Sequence, residues 1–436
     1  MLRSIRADFP QLERRRYGKR PIYFDNACTT LVPKPVIEAI TQYYTDYPAC
    51  GESRGRYWFA EEVTNQIEGP KGSREIIREF INAKTRNEII FTSNTSHAIN
   101  IVALGFRFQP NDVVLLTDKE HNSNLAPWLR LQKGGSIQVD YAEPKRDGSF
   151  DFEALKQKLD RGRVRLLSLA YTSNLTGTTI PAKEIIKIAH DYGAVVLLDG
   201  AQTVPHKRVD VQDLDVDLLA FSIHKMCGPR GVGILYGKEE FLGGKSGEIE
   251  NSCMIEPAVV GGGALRDSTY DSYTLLEPPE RFEVGVQNYS GQIASGTAIK
   301  YLQQIGMDRI SSHEEQLNCF LTKELTKSYG NNGWFRIVGP SDPIERGGIL
   351  TFEIRRPNCI GIAEELNERS NVMIRDGAFC AHSYLNKEFG QGWTKPMLPT
   401  EHRMLYRVSL YFYNTIEECQ TFLESLDKIF AERSYH

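Results

Sequence analysis

The chain of 436 residues carries 52 basic and 56 acidic side chains, a net charge of −4, with 41% hydrophobic residues and eight cysteines. That length allows about two to four domains around a large buried core, and 36 Gly with 20 Pro is ordinary globular usage. These figures exclude a disordered chain, a collagen-like repeat and a disulfide-stapled miniprotein. A pI near 6.2 lacks the electrostatic footprint of a dedicated nucleic-acid binder, so no nucleic-acid partner is expected.

The basic amino terminus has no apolar h-region, and the longest apolar runs, such as Ala194–Leu198, are strand-sized. Neither a secretory signal nor a membrane span is expected. Cys28, Cys50, Cys227, Cys253, Cys319, Cys359, Cys380 and Cys419 are scattered without a C-x-x-C pair. That spacing fits neither a zinc ribbon nor a disulfide framework. A cytoplasmic, membrane-free protein with reduced thiols and no metal centre is the expectation.

In chain order, strands are predicted at Glu88–Thr92, Val113–Thr117, Leu166–Tyr171, Ala194–Asp199, Asp217–Ser222 and Val232–Tyr236. Amphipathic helices are predicted at Ser96–Leu104, Phe152–Lys158 and Ala182–Tyr192. This alternation predicts a mostly parallel α/β sheet with ligands at the carboxyl ends of its strands. No helix separates Asp217–Ser222 from Val232–Tyr236, so one of that pair is a candidate antiparallel strand. Residues 243–279 loosen into Gly, Ser, Glu and Pro. A long helical pattern begins after Gly291 and leads into Leu317–Leu325. Strands at Phe335–Val338, Gly348–Ile354, Val372–Arg375 and Tyr406–Tyr411, with helices at Gly361–Arg369 and Ile416–Ala431, predict a smaller α+β domain.

The glycines of GPRGVG (228–233) enter a strand rather than a helix, the wrong context for a dinucleotide loop, and no P-loop occurs. A better anion site is SNTSHAINIVALGF (93–106). There Thr95 and Ser96 follow a strand and are placed to cap a helix, although such caps are common without a ligand. In 194–236, Asp199 ends one apolar strand and Lys225 follows another, beside Ser222 and His224. An amine and a carboxylate on neighbouring strand ends suit pyridoxal 5'-phosphate, where lysine forms a Schiff base and the carboxylate keeps the ring nitrogen protonated. Either residue alone is more often a strand-terminal acid or a surface lysine.

With these motifs in order from YFDNACTT to RVSLYFYNTIEE, the chain resembles the PLP fold-type I enzymes of the class V aminotransferase group. It is similar within that group to cysteine desulfurases of the Suf/Csd kind and to selenocysteine lyases. The resemblance implies a seven-stranded, mostly parallel large-domain sheet over 20–294, with 1–19 and 295–436 forming the small domain. It implies Lys225 as the Schiff-base lysine, Asp199 as the pyridinium partner and Gln202 as donor to the phenolic oxygen. His121 in DKEHNSN becomes the stacking imidazole, Thr95, Ser96, Ser222 and His224 the phosphate donors. The resemblance further implies Asn174 in YTSNLTGT as the residue near the phenolic oxygen and the substrate carboxylate, and Arg407 in YRVSL as the clamp on that carboxylate.

Arg375, Gly377 and Cys380 match the family's R-x-G-x-x-C loop, which makes Cys380 the nucleophile that takes the substrate's sulfur as a persulfide. A buried inert thiol and a metal pair with His382 are the alternatives. The implied reaction converts L-cysteine, or a related sulfur or selenium amino acid, to L-alanine in a homodimer, with a sulfur-acceptor protein as candidate partner. Another C–S lyase, an epimerase, a selenocysteine lyase or a PLP-free scaffold are the rival readings. Arg54 and Gly261–Gly263 are candidates to complete the partner's site. The chain departs from the pattern at Val286-Gln287, where Thr-Pro is common, at Cys28 for Ala, and at His97 for an acidic residue. Its segment 381–406 is also longer.

Overall fold

In a computed structural model the protein is described over residues 5–51, 55–145, 149–243, 254–389 and 403–433. Cys253, Arg54 and residues 390–402 of the long segment after Cys380 lie outside those residues. The chain divides into two compact units, a larger one of residues 35–171 and 180–304, and a smaller one of residues 1–34, 172–179 and 305–436. Residues 20–34 and 172–179, expected in the large domain, belong to the smaller unit, and residues 295–304, expected in the small domain, belong to the larger one.

The large unit is built on seven strands: β1 (Ile89–Thr92), β2 (Val113–Thr117), β3 (Gln138–Ala142), β4 (Val164–Ala170), β5 (Val195–Asp199), β6 (Leu218–Ser222) and β7 (Gly233–Gly237). Their order is β1-β7-β6-β5-β4-β2-β3. The pairs β2·β3, β2·β4, β4·β5 and β5·β6 are parallel, while β7 runs antiparallel to both β6 and β1. The expected mostly parallel sheet is present, and the helix-free pair 217–222 and 232–236 is where it reverses.

Every residue of β5 and β6 is buried, as continuous aliphatic runs predict for strands covered on both faces. Crossover helices are α1 (Thr95–Gly105), α2 (Asn122–Lys133), α3 (Phe152–Asp160) and α4 (Ala182–Asp191). In α4, Ala182, Ile185, Ile186 and Ala189 form the buried stripe, the spacing of an amphipathic helix. The core of this unit includes Ile99, Val102, Leu116, Trp128, Leu166, Leu197 and Leu235. An exposed hairpin of β8 (Leu265–Ser268) and β9 (Tyr273–Leu275) follows, then α5 (Tyr289–Ile305).

In the small unit, β10 (Phe335–Val338), β11 (Ile349–Ile354), β12 (Arg375–Asp376) and β13 (Met404–Ser409) form an antiparallel sheet of order β10-β11-β13-β12. The amino-terminal arm joins the unit by pairing Ile22–Tyr23 in parallel with Val372–Met373. Helices α6 (Met307–Tyr329), α7 (Ile362–Ser370) and α8 (Ile416–Arg433) pack around a core that includes Leu321, Phe352, Leu366, Tyr406 and Phe422. Residues 172–179 close a turn, with the Ser173 amide donating to the Thr178 carbonyl at 2.9 Å. The Thr351 hydroxyl donates to the Leu175 carbonyl at 2.6 Å. Gly177 has φ +74°, and a side chain there would meet the Arg346 carbonyl oxygen at 2.3 Å; glycine is required at that contact.

Candidate active site

In the large unit the chemistry-bearing side chains gather at strand ends, as open α/β sheets dictate. The amide of Thr95 donates to the Ser222 hydroxyl at 2.8 Å, and the two hydroxyls are 2.6 Å apart. The Ser96 hydroxyl donates to that of Ser123 at 2.6 Å. The first turn of α1 and the end of β6 thereby bring hydroxyls together at a helix N-terminus, a donor set suited to a phosphate. One local expectation is corrected: the cap of α1 is Asn94, whose side chain accepts from the His97 amide at 2.9 Å, and Thr95 is the first helical residue. β7 passes close to this loop because residue 233 is glycine. A Cβ there would lie 2.5 Å from the Asn94 Cα.

Asp199 ends β5, is buried, and accepts from the Ala201 amide at 3.0 Å. Burial pushes its carboxyl upward, opposed by that amide and by the nearby positive charge of Lys225. Lys225 closes the short turn Ile223–Lys225 directly after β6. The same charge, after burial and together with Arg230, holds His224 down to about 4, so its ring is neutral at pH 7. Gln202 is buried just beyond Asp199. An amine, a carboxylate it acts on, and a hydroxyl-lined helix start are the donor set that pyridoxal phosphate needs, and the residues present fit it.

His121 precedes α2 and caps it, its Nδ1 accepting from the Ser123 amide at 3.0 Å. An accepting Nδ1 puts the proton of the neutral ring on Nε2. Its neighbour Glu120, absent from the sequence reading, is buried and accepts from the Thr117 hydroxyl at 2.5 Å, Asn124 Nδ2 at 2.6 Å and the Ala170 amide. Burial, with a contribution from Asp199, pushes this carboxyl up to about 7.

The small unit carries a second cluster. Arg407 on β13 is 2% exposed and faces Arg375 of β12 across the ladder. Asp25 lies with both: it accepts from Arg375 Nε at 3.0 and 3.1 Å, from Arg375 Nη2 at 2.9 Å, and from Arg407 Nη2 at 3.3 Å. Two guanidiniums against one carboxylate leave a net positive charge. Burial holds the Arg407 guanidinium below its ordinary value, and among the described residues its buried Nε has no hydrogen-bond partner. Such a group calls for an anion.

Arg407 Nη1 donates to the Asn174 carbonyl at 2.9 Å, and Asn174 Nδ2 donates to the Phe379 carbonyl at 2.7 Å. Cys380 follows, exposed as a free thiol. The unexpected thiol at Cys28 lies 2.9 Å from Arg375 Nη2.

An aminotransferase class-V family model matches residues 22–422. The chain belongs to the aminotransferase class-V family. A relative of this class-V chain, the probable cysteine desulfurase of Pyrococcus abyssi, is 35% identical over 433 residues, 98% of this chain and 97% of its own. The apo structure of cysteine desulfurase from Thermococcus onnurineus NA1 matches with a TM-score of 0.84 at 33% identity, covering 98% of this chain and 97% of that one. The cysteine desulfurase CsdA (S-sulfonic acid) from Escherichia coli matches with a TM-score of 0.82 at 28% identity, covering 99% and 98%. The fold-type I expectation is met.

Three departures from the class-V pattern acquire surroundings. Val286 is 71% exposed, and the neighbouring Gly285 amide donates to the Gly262 carbonyl at 2.7 Å, tying the Gly261–Gly263 loop to that segment. Gln287 Nε2 donates back to the Val284 carbonyl at 3.1 Å. His97 Nδ1 accepts from the Ser93 amide at 3.1 Å, so this histidine helps shape the start of α1. Among the described residues, no group of three or more His, Cys, Asp or Glu could hold a metal ion, and no helix is long and apolar enough to cross a membrane.

Proposed function

We propose that this class-V chain is a pyridoxal-phosphate-dependent cysteine desulfurase that converts L-cysteine to L-alanine and retains the sulfur as a persulfide on Cys380. The observation that carries the reading is the exposed Cys380 thiol on a turn bonded to Asn174, which is itself bonded to the buried Arg407. Near-full-length similarity to proteins named cysteine desulfurases supports it.

Thr95, Ser96, Ser222 and His224 are the proposed phosphate donors, Asp199 the partner of the ring nitrogen, and Gln202 with Asn174 the donors to the phenolic oxygen. When bound, the cofactor supplies an aldehyde that joins an amine and a ring that accepts the electron pair released at the substrate Cα. Lys225, as a neutral amine, takes the Cα proton, and Asp199 would hold a proton on the ring nitrogen. Arg407 binds the substrate carboxylate through donors that include its idle Nε–H, with Asn174 as the second donor. His121, with its proton on Nε2, is the proton donor to the product side. Cys380 acts as a thiolate and forms a sulfur–sulfur bond as the substrate's Cβ–S bond breaks. The balance is cysteine plus enzyme thiol to alanine plus enzyme persulfide, and a thiol reductant or a sulfur-acceptor protein then removes the outer sulfur.

A homodimer is part of the proposal. Trp58 (64% exposed), Val259 (63%) and Tyr270 (fully exposed) leave large apolar side chains in water on a single chain, which supports coverage by a second copy. The test is product analysis of the PLP-loaded enzyme with L-cysteine and reductant. Alanine and sulfide in equal amounts, lost in Cys380→Ala, are expected. Pyruvate and ammonia, or full alanine production by Cys380→Ala, would overturn the persulfide reaction.

A further inference from the structure

The turn that presents Cys380 is made of backbone that L-residues rarely adopt. Phe379 has φ +49° and Cys380 φ +56°, consecutive non-glycine residues in the left-handed region. Such geometry persists only where the surroundings over-determine it. Here those surroundings are identifiable. The Phe379 side chain packs in a cluster with Leu175, Val338, Leu385 and Leu405. The Arg407 guanidinium lies over the Phe379 ring at 4.9 Å. The Phe379 carbonyl is held by Asn174 Nδ2 at 2.7 Å, a buried bond between residues 205 positions apart.

Asn174 is in turn fixed by Arg407, which donates to its carbonyl. The two side chains given above to the substrate carboxylate are therefore the same two that hold the nucleophile's turn. One donor, Arg407 Nε, is idle and buried, whereas the Asn174 amide is already engaged by Phe379. A carboxylate arriving at Arg407 takes the idle donor; the Asn174 amide has two N–H groups, one on the Phe379 carbonyl and one given above to the phenolic oxygen, so a third acceptor is served at the expense of its bond to the turn.

We infer that Asn174 is a positioning residue for Cys380: its amide latches the left-handed turn through the Phe379 carbonyl, and carboxylate binding at Arg407 loosens that latch and changes the reactivity of the thiol. The carboxylate arm of this inference rests on the function proposed above; the latch itself rests on the geometry alone. It makes Cys380 least reactive when no substrate is present, which protects an exposed thiol between turnovers.

The test is the rate of Cys380 alkylation by iodoacetamide in the PLP-loaded protein, read residue by residue by mass spectrometry. Cys319, a partly buried thiol on α6, is the internal reference, and L-alanine is the carboxylate probe because it carries no sulfur. Asn174→Ala, and the isosteric Asn174→Asp that has no donor, are each expected to speed Cys380 alkylation at least threefold with Cys319 unchanged. L-Alanine is expected to move the natural protein toward that faster rate and to leave Asn174→Ala where it is. Cys380 rates within experimental error of the natural protein in both variants would overturn the latch, as would equal acceleration of Cys319, which signals general loosening. An alanine effect that survives in Asn174→Ala would overturn the coupling. Failure of the product assay with L-cysteine would remove the proposed reaction while leaving the alkylation contrast intact.

Discussion

Both carboxylate oxygens of Glu120 accept from the Ala170 amide, at 2.9 and 3.0 Å, which ties the residue before His121 to the end of β4. Burial raises this carboxyl from 4.5 to about 7. The folded state therefore binds a proton that the unfolded chain releases across that interval. The stabilisation is complete below about pH 4.5 and is lost as pH rises through about 7, an effect of about 3 kcal/mol. Thermal unfolding of the natural protein and of Glu120→Gln, compared between roughly pH 5 and pH 8, checks this. The variant is expected to lose less stability as pH rises; parallel profiles would assign the titration to another group.

Arg407→Lys keeps the charge and loses the fork. A lysine cannot reach Asn174, Asp25 and a substrate carboxylate together, and charge-assisted hydrogen bonds are worth about 1.5–3 kcal/mol each. A fall of about 10- to 100-fold in kcat/KM for L-cysteine is expected, carried mainly by KM. Steady-state kinetics at saturating cofactor decide it, and an unaltered KM would remove Arg407 from carboxylate binding.

Asp25 accepts from both Arg375 and Arg407, so it holds two like charges in register. Asp25→Asn leaves them to repel one another. KM for L-cysteine is expected to rise about tenfold, the effect of roughly 1.4 kcal/mol, with partial recovery in Asp25→Glu. A change confined to kcat would show that this carboxylate does not serve substrate binding.

Aliphatic strands were legible in the sequence because burial on both faces leaves an uninterrupted signal: Val113–Thr117 has the bounds read from it, and Phe335–Val338 also has its bounds, although Arg336 within it is exposed. β3 (QVDYA) was missed because an edge strand keeps polar side chains and pairs on one side only. The hairpin β8–β9 was missed for a related reason, since most of its residues face water. Among site residues, Lys225 and Asp199 were marked by the strands they terminate. Glu120 was not, because an acid in a polar segment reads as surface until the fold buries it. The four adjacent cap-forming residues 93–96 hid which one caps α1. No local pattern announces the Asn174–Phe379 bond, which exists only once distant segments meet.

Arg74 and Glu283 form a buried ion pair at 2.8 and 2.9 Å, and the same acid accepts from the Phe91 amide of β1 at 2.6 Å. Removing Arg74 strands the Glu283 charge without water, at a cost of about 3–5 kcal/mol, whereas Arg74 without Glu283 still pairs with Glu68. Arg74→Ala is expected to lower the urea midpoint strongly, while a double replacement of Arg74 and Glu283 by Met stays closer to the natural protein. A single variant as stable as the parent would show that water reaches this pair.

The reversal at β7 has a kinetic consequence for Lys225. The chain leaves β6 at Ser222, passes the lysine and re-enters the sheet at Gly233, directly opposite Ser222. Within that excursion Ile223 and Gly228 are cross-tied, the Ile223 amide to the Val232 carbonyl and the Gly228 amide to the Ile223 carbonyl, both at 3.1 Å. A lysine on a crossover loop could swing with its loop; this one sits on a short return between two interior strands. Opening its neighbourhood means unzipping the middle of the sheet, so deuterium should enter the amides of Ile223 and Gly228 only at the pace of global unfolding.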